Sequence, residues 1–174
     1  MVDYAKLASN AKSAEEANNA SIQRRKDERG SFFRQLGVEL QREVHAANNA
    51  LRTARLPLFS EPAFGDGFVL LIRENGQACR VTNDRWVEGI DVYITADYPS
   101  KQADQVEDRT LHFCFDSKKS CLSVKRIRRQ YWDYEDLPNV GPRQLAQSIV
   151  AMVVGARLVN QFGFRTDEWD WKIV

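Results

Sequence analysis

The sequence predicts an α+β fold: a mostly antiparallel sheet of about five strands in meander order, covered by a long C-terminal helix. An N-terminal helical region precedes the sheet. Three features point that way. Apolar residues recur every three or four positions up to Pro57, alternate after Gly67, and return to helical spacing after Gly141. The boundary falls in the Leu56–Pro57 neighbourhood, giving an N-terminal helical region over 1–56 and a sheet-plus-helix domain over 57–174.

The first thirty residues are rich in Ala, Asn, Glu, Lys and Arg. Tyr4, Leu7, Ala11 and Ala14 keep helical spacing, but the stripe is thin, and such a helix owes most of its stability to what it packs against. The polar cluster Arg24-Arg25-Lys26-Asp27-Glu28-Arg29 leads to Gly30, a residue that often ends helices. A second helix is expected from Ser31, which can cap it, through Phe33, Leu36, Leu40, Val44, Ala47 and Leu51. Arg34, Gln41, Arg42, Asn48, Asn49 and Arg52 occupy its opposite face and suit water. Pro57 biases Leu56 away from helical geometry and ends the segment. The two helices can form an αα-hairpin or a coiled-coil arm, or the second can lie on the sheet. Ala47 and Ala54 favour close packing.

Leu56 to Asp66 reads as a connector. Phe68–Arg73 and Gln77–Thr82 then flank Asn75-Gly76, the preferred centre of a type I′ hairpin turn. A two-residue loop sets Glu74 opposite Gln77, Ile72 opposite Cys79 and Leu70 opposite Val81. The expected core face is Phe68, Leu70, Ile72, Cys79 and Val81. A third strand runs from Trp86 to Thr95, with Ile90, Val92 and Ile94 on one side. The acidic stretch Asp97 to Asp108 reads as an exposed loop.

A second hairpin centred on Lys118-Lys119 pairs Asp116 with Cys121, Phe115 with Leu122, Cys114 with Ser123, Phe113 with Val124 and His112 with Lys125. In that register apolar meets apolar on one face. Pro142 suits the first turn of a helix, and Leu145, Ile149, Met152, Val153, Ala156, Val159 and Phe162 form a broad stripe for the inner face of the sheet. The tail Trp169 to Val174 alternates and can add an edge strand or dock on the core.

Composition narrows the function classes. The chain has 174 residues, 43% hydrophobic and 28% charged, as expected of one folded unit. With 25 basic and 24 acidic residues, global charge gives no reason to expect nucleic acid or an anionic membrane. Cys79, Cys114 and Cys121 are too few for a disulfide framework. The N-terminus lacks a signal-peptide core, and no apolar run approaches the roughly 20 residues of a membrane span. A cytoplasmic protein without a membrane partner is expected.

Four groups of residues carry candidate chemistry. His112, Cys114, Asp116 and Cys121 share the polar face of the second hairpin and can supply a thiolate–imidazole pair or zinc ligands. The paired Cys-x2-Cys spacing of most zinc sites is missing, and an ordinary sheet face is the favoured reading. Lys118, Lys119, Lys125, Arg126, Arg128 and Arg129, followed by Tyr131 and Trp132, can track phosphates and stack on bases. Asp133-Tyr134-Glu135-Asp136 opposes that field, and a solvated or protective sheet edge is favoured. Trp86, Tyr93, Trp132, Tyr134, Trp169 and Trp171 suit either a core or a protein interface. His45 has no evident partner and reads as structural.

No phosphate-cradling glycine loop, nucleophile elbow, His-Glu-x-x-His or calcium loop is present, and no cofactor or metal is implied. The expected function is a non-enzymatic interaction module, self-associating through its N-terminal helices and binding a protein partner. Single-strand nucleic-acid binding by 118–129 is the alternative. A small enzyme using His112 with Cys114 or Cys121 is the third reading.

Overall fold

A computed structural model of the chain describes residues 3–84, 89–95, 109–116, 121–128, 131–137 and 140–161. The fold is α+β. Among the described residues a long helix α1 (Tyr4–Thr53) is followed by seven strands and a second helix α2 (Pro142–Gln161). The strands are β1 (Ala63–Gly65), β2 (Phe68–Ile72), β3 (Ala78–Asp84), β4 (Gly89–Thr95), β5 (Arg109–Asp116), β6 (Cys121–Arg128) and β7 (Tyr131–Leu137). They form one antiparallel sheet in sequence order.

The break expected at Gly30 is absent: α1 is one helix of 50 residues, and Ser31 lies inside it rather than capping a second one. A glycine in a helix interior costs only about 1 kcal/mol. The half-buried Phe32 and Phe33 and the buried Leu36 follow at once and hold the downstream turns against the core. The helix begins instead at Asp3, whose side chain accepts a hydrogen bond from the Lys6 amide at 3.1 Å.

Its end is a Schellman motif. The Leu56 amide donates to the Leu51 carbonyl at 2.9 Å, and the Arg55 amide to the Arg52 carbonyl at 3.1 Å. Arg55 takes the left-handed position usually given to glycine, at φ 56°. Pro57 comes two residues later, so the stop stands where its sequence placed it.

The core is a helix layer on one sheet face. Leu36, Leu40, Val44 and Leu51 of α1 meet Leu145, Ala146, Ile149, Val150 and Val153 of α2 over Val69, Leu71, Cys79, Val81, Ile90, Val92 and Phe113. Val69 pairs with Val81 and Val81 with Val92, making a buried aliphatic row across three strands. Cover by one long C-terminal helix is therefore corrected. At 20 residues α2 is the short helix, and the second half of α1 shares the layer with it. Gln147 Nε2 donates to Glu43 Oε1 at 3.2 Å between the two.

The first hairpin turns at Asn75-Gly76, but not as a type I′ turn. That type needs positive φ at both central residues, and only Gly76, at 84°, has it. The Gly76 amide donates to the Arg73 carbonyl at 3.0 Å, and the Arg73 amide to the Gln77 carbonyl at 2.7 Å. The loop is thus Glu74-Asn75-Gly76, three residues with glycine in the left-handed position. One added residue shifts the register, so Leu71 faces Cys79 and Val69 faces Val81. Val69 and Leu71 are the buried β2 residues, in place of the expected Phe68, Leu70 and Ile72. Cys79 and Val81 are buried as expected, both at 0% exposure.

The second hairpin has the expected register at all five pairs, from His112–Lys125 to Asp116–Cys121. Two strands escaped the sequence. The three residues of β1 lie inside the presumed connector, and β7 runs through the acidic stretch that follows the basic one. The third strand is described from Gly89. The expected loop over 97–108 and the tail from Trp169 lie outside the described residues.

Candidate functional site

The candidate residues fall in three places. On the sheet, β5 and β6 bring Asp116 opposite Cys121, Cys114 opposite Ser123 and His112 opposite Lys125. The two cysteine positions are therefore not directly paired. On the other side of β5, β4 sets Asp91 opposite His112 and Gly89 opposite Cys114. Asp91 is buried at 6% exposure, a position the sequence did not single out. Among the described residues no group of three His, Cys, Asp or Glu side chains is placed to hold a metal ion.

The basic run does not form an edge. Lys125, Arg126 and Arg128 sit on β6, which is flanked by β5 and β7. Lys118, Lys119 and Arg129 lie outside the described residues. The acidic strand pairs with the basic one: Arg126 stands opposite Asp133, Val124 opposite Glu135 and Ser123 opposite Asp136. Trp132 is opposite Ile127. Cross-strand opposite charges stabilise a sheet and cancel each other's field. This corrects the protective-edge reading: among the described strands the outer positions belong to β1 and β7.

The third place is α1 itself. Residues 3–21 are exposed on every side. Tyr4 is 77% exposed and Leu7 55%. Lys12 pairs with Glu16 at 4.0 Å within that stretch, and Arg24 with Glu28 at 2.8 Å just beyond it. Burial begins about the middle of the helix, where Arg29 is 8% exposed although its neighbours in sequence are polar.

Beside the buried half of α1 lies a groove of about 430 Å3. Gly30, Phe33, Gly37 and Val38 line it from the helix, and Phe64 and Phe68 from β1 and β2. Gly37 lets the edge approach closely, since a Cβ there would stand 3.3 Å from Phe64 Cε1. Gly65 pairs with Phe68, whose ring occupies the space a Gly65 side chain would need. Arg80 lies over the same ring at 5.1 Å. Val38 and Phe64 remain 57% and 54% exposed. No local pattern marks this groove, because its two walls are distant in the chain.

His45 has a partner after all. Its Nε2 lies 3.4 Å from Glu61 Oε2, and Gln41 Nε2 donates to Glu61 Oε1 at 2.9 Å. The Gln41 hydrogen bond, followed by that of His45, holds the Glu61 carboxyl below its ordinary pKa. All three side chains sit at the surface, so the cluster is a clasp between α1 and the chain before β1. Cys79 is fully enclosed, and burial pushes its thiol pKa far up. A neutral, enclosed thiol is a poor nucleophile. It is a core residue.

Comparison with family models, curated proteins and solved structures finds no match for the chain. Among the described residues no helix is long and apolar enough to cross a membrane.

Proposed function

We propose that the chain is a non-enzymatic protein-interaction module that associates with copies of itself through the N-terminal half of α1. One observation carries the reading: residues 3–21 extend from the body as helix with every position exposed. Isolated helices are marginal in water, and each i,i+4 ion pair adds only about 0.2–0.5 kcal/mol. Burying Tyr4, Leu7, Ala11 and Ala14 against another helix supplies what those pairs do not. Their three-and-four spacing is that of a helix–helix seam, and Asn18 continues it with a polar group of the kind that fixes register.

The nucleic-acid alternative draws less support, because β7 brings three acids alongside the basic strand and sets Asp133 directly opposite Arg126. The enzymatic reading retains the polar row Asp91, His112 and Lys125 across three strands as its best feature. Three cysteines without a framework suit a reducing, cytoplasmic setting. Sedimentation velocity over a concentration series tests the main reading. The expected result is reversible association that is abolished by Ala11→Glu combined with Ala14→Glu. A wild-type chain that stays monomeric throughout contradicts it.

A further inference from the structure

We propose that the association is reciprocal and antiparallel, each Tyr4–Leu7 tip seating in the groove between α1 and the β1–β2 edge of a second copy. The inference rests on the self-association reading above and names its geometry. Among the described residues five large apolar side chains are prominently exposed, and four of them form two patches: Tyr4 with Leu7 at the tip, Val38 with Phe64 in the groove. Leu7 and Val38 belong to one unbroken helix. At 1.5 Å per residue they are about 46 Å apart along it. The tip therefore cannot fold back into its own groove, whereas a second copy can present one.

Symmetry closes the arrangement. A two-fold axis across α1 near Ala20 sets Leu7 opposite Phe33 and so carries each tip to the helix wall of the other chain's groove. The contact is then isologous and ends at a dimer instead of growing into a filament. Charge favours the same orientation. About that axis Glu15 and Glu16 lie opposite Arg24, Arg25 and Lys26 of the second copy. A parallel pairing in register would set that basic cluster against itself, a juxtaposition that penalises the wrong arrangement.

Full-length chains bearing Leu7→Cys and Val38→Cys test the geometry, since both sites are exposed and tolerate substitution without disturbing the core. The two variants are mixed and treated with a bismaleimide, and the unsubstituted chain serves as the background control. The expected product is a covalent dimer containing one chain of each kind, with neither variant alone giving it above background. Leu7→Cys linking to itself, with no mixed product, overturns the antiparallel geometry and leaves self-association standing. A monomer at every concentration in the ultracentrifuge overturns both. As a second readout, Val38→Glu raises the dimer dissociation constant at least tenfold while circular dichroism stays unchanged. An unaltered constant overturns the groove as the seat and leaves it to some other occupant, such as a small apolar molecule.

Discussion

Asn48 holds the main chain of Phe59 with both ends of its amide. Its Nδ2 donates to the Phe59 carbonyl at 2.9 Å, and its Oδ1 accepts from the Phe59 amide at 2.8 Å. The pair imitates the exchange between strands, but one partner is a helix side chain. It fastens the connector to α1 at the point where the Phe59 ring, 5% exposed, enters the core. Phe59 also bridges to Arg73 at the end of β2, and the Arg73 guanidinium donates to the Pro57 carbonyl and to Gln77 Oε1. Connector, helix end and hairpin are thus tied together within a few residues.

Replacing Asn48 by Ala removes both bonds and leaves the Phe59 amide and carbonyl to find other partners. The expected loss is about 1–3 kcal/mol, since stranded polar groups cost more than a bond gains. Urea unfolding measures it. A midpoint equal to wild type contradicts the fastening role.

Arg55 gives the opposite sign. A non-glycine residue in the left-handed region costs roughly 1–2 kcal/mol, and Arg55 stands there at φ 56° with its side chain exposed. Arg55→Gly relieves the strain but loosens the unfolded chain, so a net gain of about 0.5–1 kcal/mol is expected. Thermal unfolding reports it as a higher midpoint; a lower one contradicts the cap described above.

These two residues also show what the sequence could and could not say. Asn48 sits on the polar side of an amphipathic pattern, where composition says water, and only the returning connector reveals its task. The helix end at Pro57 was legible because proline acts locally. Gly30 was not, because its small helix penalty is outweighed by burial some residues away. Asn75-Gly76 marked a turn correctly, yet the same dipeptide serves two- and three-residue loops, and that one residue inverted the expected face of β2. Phe113 and its neighbours fixed the second hairpin because apolar positions on both strands coincide in only one register. β7 was hidden by its charge: Asp133, Glu135 and Asp136 are poor strand formers until β6 offers Arg126 and a ladder to join. As for the site, the thin stripe of the arm could be read from Tyr4, Leu7, Ala11 and Ala14. The groove could not.

Cys79 lies at the centre of the buried sheet face with its thiol pKa raised by burial. While the chain is folded it is expected to resist iodoacetamide, and to be labelled only as fast as the protein opens. Mass spectrometry of the peptide containing Cys79 gives the rate. Labelling as fast as an open thiol contradicts the burial.

Glu61 supplies a pH test. Its carboxyl is held below the ordinary value by Gln41 first and His45 second. A folded pKa below the unfolded one gives a stabilisation that is present above the unfolded value and lost as pH falls through the folded one. The effect therefore appears on the acid side of the carboxylate range. In an NMR titration Glu61 should show a midpoint below that of a free glutamate, moving up in Gln41→Ala. A midpoint that does not respond to Gln41 contradicts the clasp.

Self-association through the arm requires that the N-terminal half of α1 find its partner on a second chain. Amide hydrogen exchange across residues 4–21, measured at several protein concentrations, addresses this directly. Protection that rises with concentration is the predicted result, because association orders the arm. Strong protection that is already complete at the lowest concentration, in a monomer, would contradict it.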